Sequence, residues 1–219
     1  MSQKPNDRVA NFEITISKEE LNHLEPARFE GEIFTVNNIE EAERAVSALS
    51  EAALIGFDTE TKPAFKKGVH NNVALMQLAT ENVCFLFRLS KIGMPEVLKN
   101  FIENPEIKKV GLSIKDDFFN LNKLAAIRPA GFVDLQDYVK EFKIKDCALT
   151  KIHSIIFGKR ISKNQQLTNW EAPQLTQKQQ EYAALDAQAC VRIFKHLKSG
   201  GFDPLQSQYK RDCNPGAEN

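Results

Sequence analysis

Residues 52–60 read Ala-Ala-Leu-Ile-Gly-Phe-Asp-Thr-Glu, an apolar run that ends in two carboxylates. A short continuous apolar run of this kind is the signature of a strand buried on both faces at the centre of a sheet. Successive side chains of a strand alternate, so Asp58 and Glu60 leave it on one face, about 7 Å apart. Two acids so placed repel each other, and a divalent cation is the usual compensation. Hard oxygen ligands suit Mg2+ or Mn2+. Taken alone, the pair fits a solvated acidic strand end equally well.

On either side of this strand the pattern alternates between periods of two and of about 3.6. Ile33 to Val36 is a short strand. Asn38 caps a helix with Glu41 three positions on, and Ile39, Ala42, Val46 and Leu49 form its apolar stripe. Val73 to Ala79 and Val83 to Leu89 are two strands separated by Thr80, Glu81 and Asn82, which reads as a hairpin. A helix over Pro95 to Ile102 has Pro95 at its first position. Lys109 to Leu112 is a strand, Asp116 to Leu124 a helix, and Phe132-Val133 a short strand. Helices then cover Leu135 to Phe142, Leu149 to Phe157 and Thr176 to Leu197. Such an order implies an α/β fold, with a mixed sheet flanked by helices.

The chain has 219 residues, with 29 Lys and Arg balanced by 29 Asp and Glu. That length suits one domain with tails. Residues 1–30 are expected to form an N-terminal arm, with Ser17 and Glu20 making the capping box of a short helix. Residues 31–200 form the folded domain, and residues 201–219 a flexible tail. A zero net charge argues mildly against a tight, nonspecific nucleic-acid binder. There is no run of about 18 apolar residues and no apolar signal core, so a cytoplasmic protein without membrane contact is expected. None of the four cysteines pairs at CxxC spacing, and Cys84 and Cys190 read as small hydrophobes.

Two further acidic features follow. In Gly111-Leu112-Ser113-Ile114-Lys115-Asp116-Asp117 a strand runs into a helix whose first turn carries two aspartates. Acids there are favoured by the helix dipole, which accounts for Asp116 as a cap and leaves Asp117 to face the sheet edge. In Tyr182-Ala183-Ala184-Leu185-Asp186, Tyr182 and Asp186 stack on one helix face. Asp186 sits mid-way in an apolar stretch, and a buried Asp needs a partner.

The order D-x-E on an early strand, G-x-x-I-x-x-D at a strand-to-helix junction and Y-x-x-x-D on a late helix resembles the DEDDy 3′–5′ exonucleases, over roughly residues 33–197. Phe57-Asp58-Thr59-Glu60, Pro63-Ala64-Phe65-Lys66-Lys67-Gly68, Val73-Ala74-Leu75-Met76-Gln77-Leu78 and Thr168-Asn169-Trp170 look closer to the Werner-type exonuclease domain and to ribonuclease D. The accessory helical domains of ribonuclease D have no counterpart in this sequence. The resemblance implies an RNase H-like sheet of five to six strands, the first antiparallel and the later ones parallel. It also implies that Asp58, Glu60, Asp117 and Asp186 hold two divalent cations, Mg2+ or Mn2+, with Tyr182 orienting the attacking water. The reaction so implied is stepwise hydrolysis at the 3′ ends of DNA or RNA, releasing nucleoside 5′-monophosphates.

Thr59, Phe65, Lys66, Lys67 and Gln77 are candidate substrate contacts beside these motifs, with Phe118 and Phe119 as further stacking candidates. Lys62, and a second basic group of Lys159, Arg160 and Lys163, are candidate phosphate contacts. The alternative readings are a catalytically silent nucleic-acid-binding module of the same fold, or a two-carboxylate glycosidase. A glycosidase leaves the remaining acids and Tyr182 without a role.

Overall fold

The computed structural model describes residues 11–64, 68 and 71–213. In chain order the elements are β1 (Phe12–Ile14), α1 (Lys18–Asn22), β2 (Glu32–Val36), α2 (Ile39–Ser50), β3 (Ile55–Thr61), β4 (Val73–Ala79) and β5 (Val83–Phe87). They continue with α3 (Leu89–Ile92), α4 (Glu96–Glu103), β6 (Lys109–Gly111), α5 (Ile114–Leu124), β7 (Phe132–Asp134) and α6 (Leu135–Tyr138). The last are α7 (Leu149–Phe157), α8 (Gln177–Lys198) and β8 (Lys210–Asp212), and short 3-10 turns follow α6 and precede β8.

Six strands form one mixed sheet in the order β2-β5-β4-β3-β6-β7. The expected hairpin is present: β4 pairs antiparallel with both β3 and β5. At the other edge, β3, β6 and β7 run parallel. β2 lies parallel to β5, so β4 alone runs against the other five.

Helices cover both faces. Strand alternation sends Phe57, Met76 and Leu78 to one face, where they pack with Ala45, Val46 and Leu49 of α2 and with Leu98 and Ile102 of α4. Leu75 and Ala79 point to the other face, under Ala183, Ala184 and Ala187 of α8. Small residues let α8 lie close to the sheet. At Gly56 a Cβ would stand 1.9 Å from the Ala187 carbonyl oxygen, so glycine is required for this approach. The capping boxes at Ser17/Glu20 and Thr176/Gln179 and the Asn38 cap fix where α1, α8 and α2 begin.

Residues 12–22 and 204–212 are more ordered than the arm and tail that polarity suggests. β1 and β8 pair antiparallel, with Phe12 opposite Asp212. Ile14, Ile16 and Tyr209 are buried with Ile152, Ile193 and Leu197. Alternation of a few apolar side chains with charged ones is enough to anchor each end, and Lys210 and Arg211 mask that pattern in the sequence. No helix among the described residues is long and apolar enough to cross a membrane.

Candidate active site

Asp58 and Glu60 leave the same face of β3, and α8 crosses that face with Tyr182 and Asp186 one turn apart. Close packing at Gly56 brings α8 within reach of the strand. One carboxylate oxygen from each of Asp58, Glu60 and Asp186 therefore falls within 4.8 Å of the others. Glu60 and Asp186 are only 8% and 6% exposed, so water screens this repulsion poorly.

The electrostatics follow from burial and crowding. Burial, with the charges of Asp186, Asp117 and Glu60 added, pushes the Asp58 carboxyl well above the usual range. Glu60 rises to about 9 for the same two reasons. Asp186 rises to about 7 through burial, opposed by a hydrogen bond from the Tyr182 hydroxyl and by Lys163. Burial and the neighbouring acids push the Tyr182 phenol above its ordinary value. It therefore stays protonated and acts as a donor.

Asp117 stands beside this trio, at the start of α5, and accepts a hydrogen bond from the Thr59 hydroxyl. Burial raises it to about 7, and the Thr59 bond opposes that rise. Asp116 is exposed, and its backbone N–H bonds the Ser113 carbonyl. The capping role expected of Asp116 falls instead to Asp134 at the end of β7. One of its oxygens accepts the Ser113 N–H at 3.1 Å and the Gln136 N–H at 2.9 Å, and the other accepts the Ile114 N–H at 3.2 Å. These bonds hold Ser113 in a left-handed conformation (φ 56°) and so aim the helix that carries Asp117. α5 begins at Ile114, two residues before the sequence places it. Asp134 is a positioning residue that the sequence reading missed, although an Asp between a strand and Leu135-Gln136 carries the ordinary signal of a helix cap.

The trio and Tyr182 open on a cleft of about 310 Å3 that Thr59, Ser113, Cys147, Lys163 and Gln166 also line. Trp170 is fully buried with its ring 6.1 Å from that of Tyr182, so it packs behind the site.

The remaining substrate candidates fare differently. Gln77 is fully buried on β4, paired with Asp58 across the β3–β4 ladder on the same face of the sheet. Thr59 is engaged with Asp117. Phe118 packs edge-on to Phe132 within the core, while Phe119 is 67% exposed with the Lys123 ammonium over its ring. Lys62 pairs with Glu171 at 3.0 Å. In the second basic group only Lys163 lines the cleft, because the Arg160 guanidinium bonds the Leu24 carbonyl. Phe65, Lys66 and Lys67 lie outside the described residues.

Comparison with known proteins agrees with this geometry. A family model described as a 3′–5′ exonuclease matches residues 33–200. The bifunctional 3′-5′ exonuclease/ATP-dependent helicase WRN of Mus musculus is 34% identical over 160 residues, spanning 70% of this chain and 11% of that protein. A 3′-5′ exonuclease of Arabidopsis thaliana is 32% identical over 156 residues, 68% of this chain and 54% of that one. Among solved structures, the Nibbler EXO domain of Aedes aegypti superposes with a TM-score of 0.68 at 23% identity, covering 80% of this chain and 92% of that one. Escherichia coli RNase D superposes with a TM-score of 0.68 at 21% identity, covering 76% of this chain and 44% of that one. With a 3′–5′ exonuclease family model matching residues 33–200, this chain belongs to the 3′–5′ exonuclease family.

Proposed function

We propose that the protein is an active metal-dependent 3′–5′ exonuclease, with residues 31–200 as its catalytic unit, acting on the 3′ ends of DNA or RNA. The observation that carries this reading is the convergence of Asp58, Glu60 and Asp186 within 4.8 Å in a buried setting. Such a cluster is costly unless a cation compensates it, and its donors are the hard oxygens that Mg2+ and Mn2+ prefer. The charges of Asp186, Glu60 and Asp117 all act on Asp58, which supports a two-cation site shared among the four carboxylates. Divalent cations held there supply positive charge for the phosphodiester and for the departing 3′ oxygen, and acidify water.

The chain's own residues do the rest. Asp58, Glu60, Asp117 and Asp186 would hold the divalent cations, whose charge would offset that of the scissile phosphate. Tyr182 remains protonated, so it orients the attacking water through its hydroxyl and does not remove its proton. Lys163, at the mouth of the cleft, adds positive charge where the substrate phosphate arrives. Attack on phosphorus with the upstream 3′ oxygen leaving releases a nucleoside 5′-monophosphate.

The test uses matched single-stranded DNA and RNA, labelled at the 5′ end, with the 3′ end free or blocked, in Mg2+ or Mn2+. A ladder shortening from free 3′ ends, with 5′-monophosphates identified by mass, is the expected result. Internal cutting, or a folded protein that binds the strand and releases nothing, contradicts it.

A further inference from the structure

One hollow adjoins the catalytic cleft at α8, and a further hollow adjoins that one. At Tyr182 the cleft meets a second hollow of about 480 Å3, lined by Arg28, Asn164, Gln165 and Lys178 among others. That hollow shares Ala27 and Arg28 with a third, of about 890 Å3, that passes Lys159 and Arg192. The shared residues set the three hollows in a row, a trough with Tyr182 at its catalytic end and Arg28 at its waist.

One wall of the trough is the segment 25–30, which precedes the region matched by the family. It is firmly attached. The Ala27 N–H donates to the Arg160 carbonyl at 2.8 Å, and the Arg160 N–H donates to the Glu25 carbonyl at 3.0 Å. The Gln188 amide of α8 donates to the Glu30 carbonyl at 2.8 Å. Arg28 is exposed between these ties, with its backbone fixed on both sides.

The charge along the trough is uneven. Arg192 and Lys195 are matched by Glu30 and Glu81. Outside the carboxylate-lined catalytic cleft, Arg28, Lys159 and Lys178 form no ion pair with any described residue, against two unpaired acids, Glu25 and Glu181. Cations spaced along a groove with amide side chains between them suit a phosphate backbone, and an arginine's fork matches a phosphate with two parallel hydrogen bonds.

We propose that this trough holds the nucleotides upstream of the scissile bond, as one nucleic-acid strand, with Arg28 contacting a backbone phosphate at the waist. The proposal rests on the exonuclease reading for its ligand. It gives the N-terminal segment a part in substrate binding that lies outside the family's matched region.

Anisotropy of a 5′-labelled single-stranded DNA octamer, with Ca2+ in place of Mg2+, tests it across a range of salt. Arg28→Glu is expected to weaken binding at least about tenfold, and to make the salt dependence shallower by about one unit of log–log slope. Lys178→Glu should weaken it in the same direction. Arg44→Glu makes the same charge change on α2, across the sheet, and should leave binding unchanged. Thermal melting confirms that each variant is folded. Arg28 and Arg44 variants that lose affinity equally, an Arg28→Glu variant that binds as the wild type does, or a wild type that binds no strand each overturn the proposal. A wild type that binds the octamer yet never shortens it in Mg2+ or Mn2+ sinks the exonuclease reading alone, and the trough then stands or falls on the Arg28 comparison.

Discussion

At the residue scale the site is a set of acids held where they are hardest to ionise. Burial raises Asp117 and Asp186 to about 7, and burial with the charges of Asp186 and Asp117 raises Glu60 to about 9. A raised folded-state pKa means that the folded protein binds those protons more tightly. The stabilisation is therefore fully present below the usual carboxylate range, near pH 4, and is lost as pH rises through about 7 and then about 9. Scanning calorimetry of cation-free protein should show a melting temperature that falls as pH rises from about 5 to about 9. Millimolar Mg2+ should restore it, most strongly at the alkaline end. A flat profile, insensitive to Mg2+, argues against a coupled acidic site. Tyr182 makes a separate claim. Tyr182→Phe should lower turnover by about 10²-fold, because only the orientation of water is lost. Calorimetric titration should show Mn2+ affinity close to that of the wild type. Much of this was legible in the sequence, because β alternation and the helical i, i+4 spacing place Asp58 with Glu60 and Tyr182 with Asp186. Asp134 was not, since its role depends on a backbone conformation at Ser113 in a neighbouring segment.

At the element scale, the site depends on how closely α8 lies on β3. Gly56 is where that distance is set. Gly56→Ala forces a methyl group against the Ala187 carbonyl and lifts the helix that carries Asp186 and Tyr182. Chemical denaturation should report a loss of about 1–3 kcal/mol or more, as overpacking of a close contact does. Turnover should fall by a larger factor than the fraction unfolded explains, because the carboxylates separate. Wild-type stability and turnover in that variant contradict the packing account. The hairpin of β4 and β5 and the long span of α8 were visible as runs of strand and helix pattern. The four-residue α3 and the parallel pairing of β2 with β5 were not. A single turn is too short to show a period, and the pairing of an edge strand is set by its neighbours in space.

Across the whole molecule, β1 and β8 pair with each other from opposite ends of the described residues. Tyr209 is buried against the cluster that holds β1 and the outer side of α8. Tyr209→Ala should cost about 3 kcal/mol, which lowers the melting temperature by roughly 10 °C in a chain of this size. Turnover of the remaining folded protein should be unchanged, since Tyr209 is not among the residues lining the catalytic cleft. Unaltered melting in that variant removes the case for a structural clasp. Such pairing escapes a sequence reading because its partners are nearly the full chain apart and each strand is only three residues long.

The central claim is that the convergent carboxylates, through bound cations, hydrolyse nucleic acid from its 3′ end. It is tested most directly by the initial rate of 3′-terminal nucleotide release, measured for the wild type with Mn2+, the wild type with chelator and Asp186→Asn with Mn2+. All three samples must be shown to be folded by their melting curves. Rapid release in the first sample, and rates lower by at least about 10²–10³-fold in the other two, is the predicted result. Release that survives both the chelator and the loss of the Asp186 charge contradicts the account.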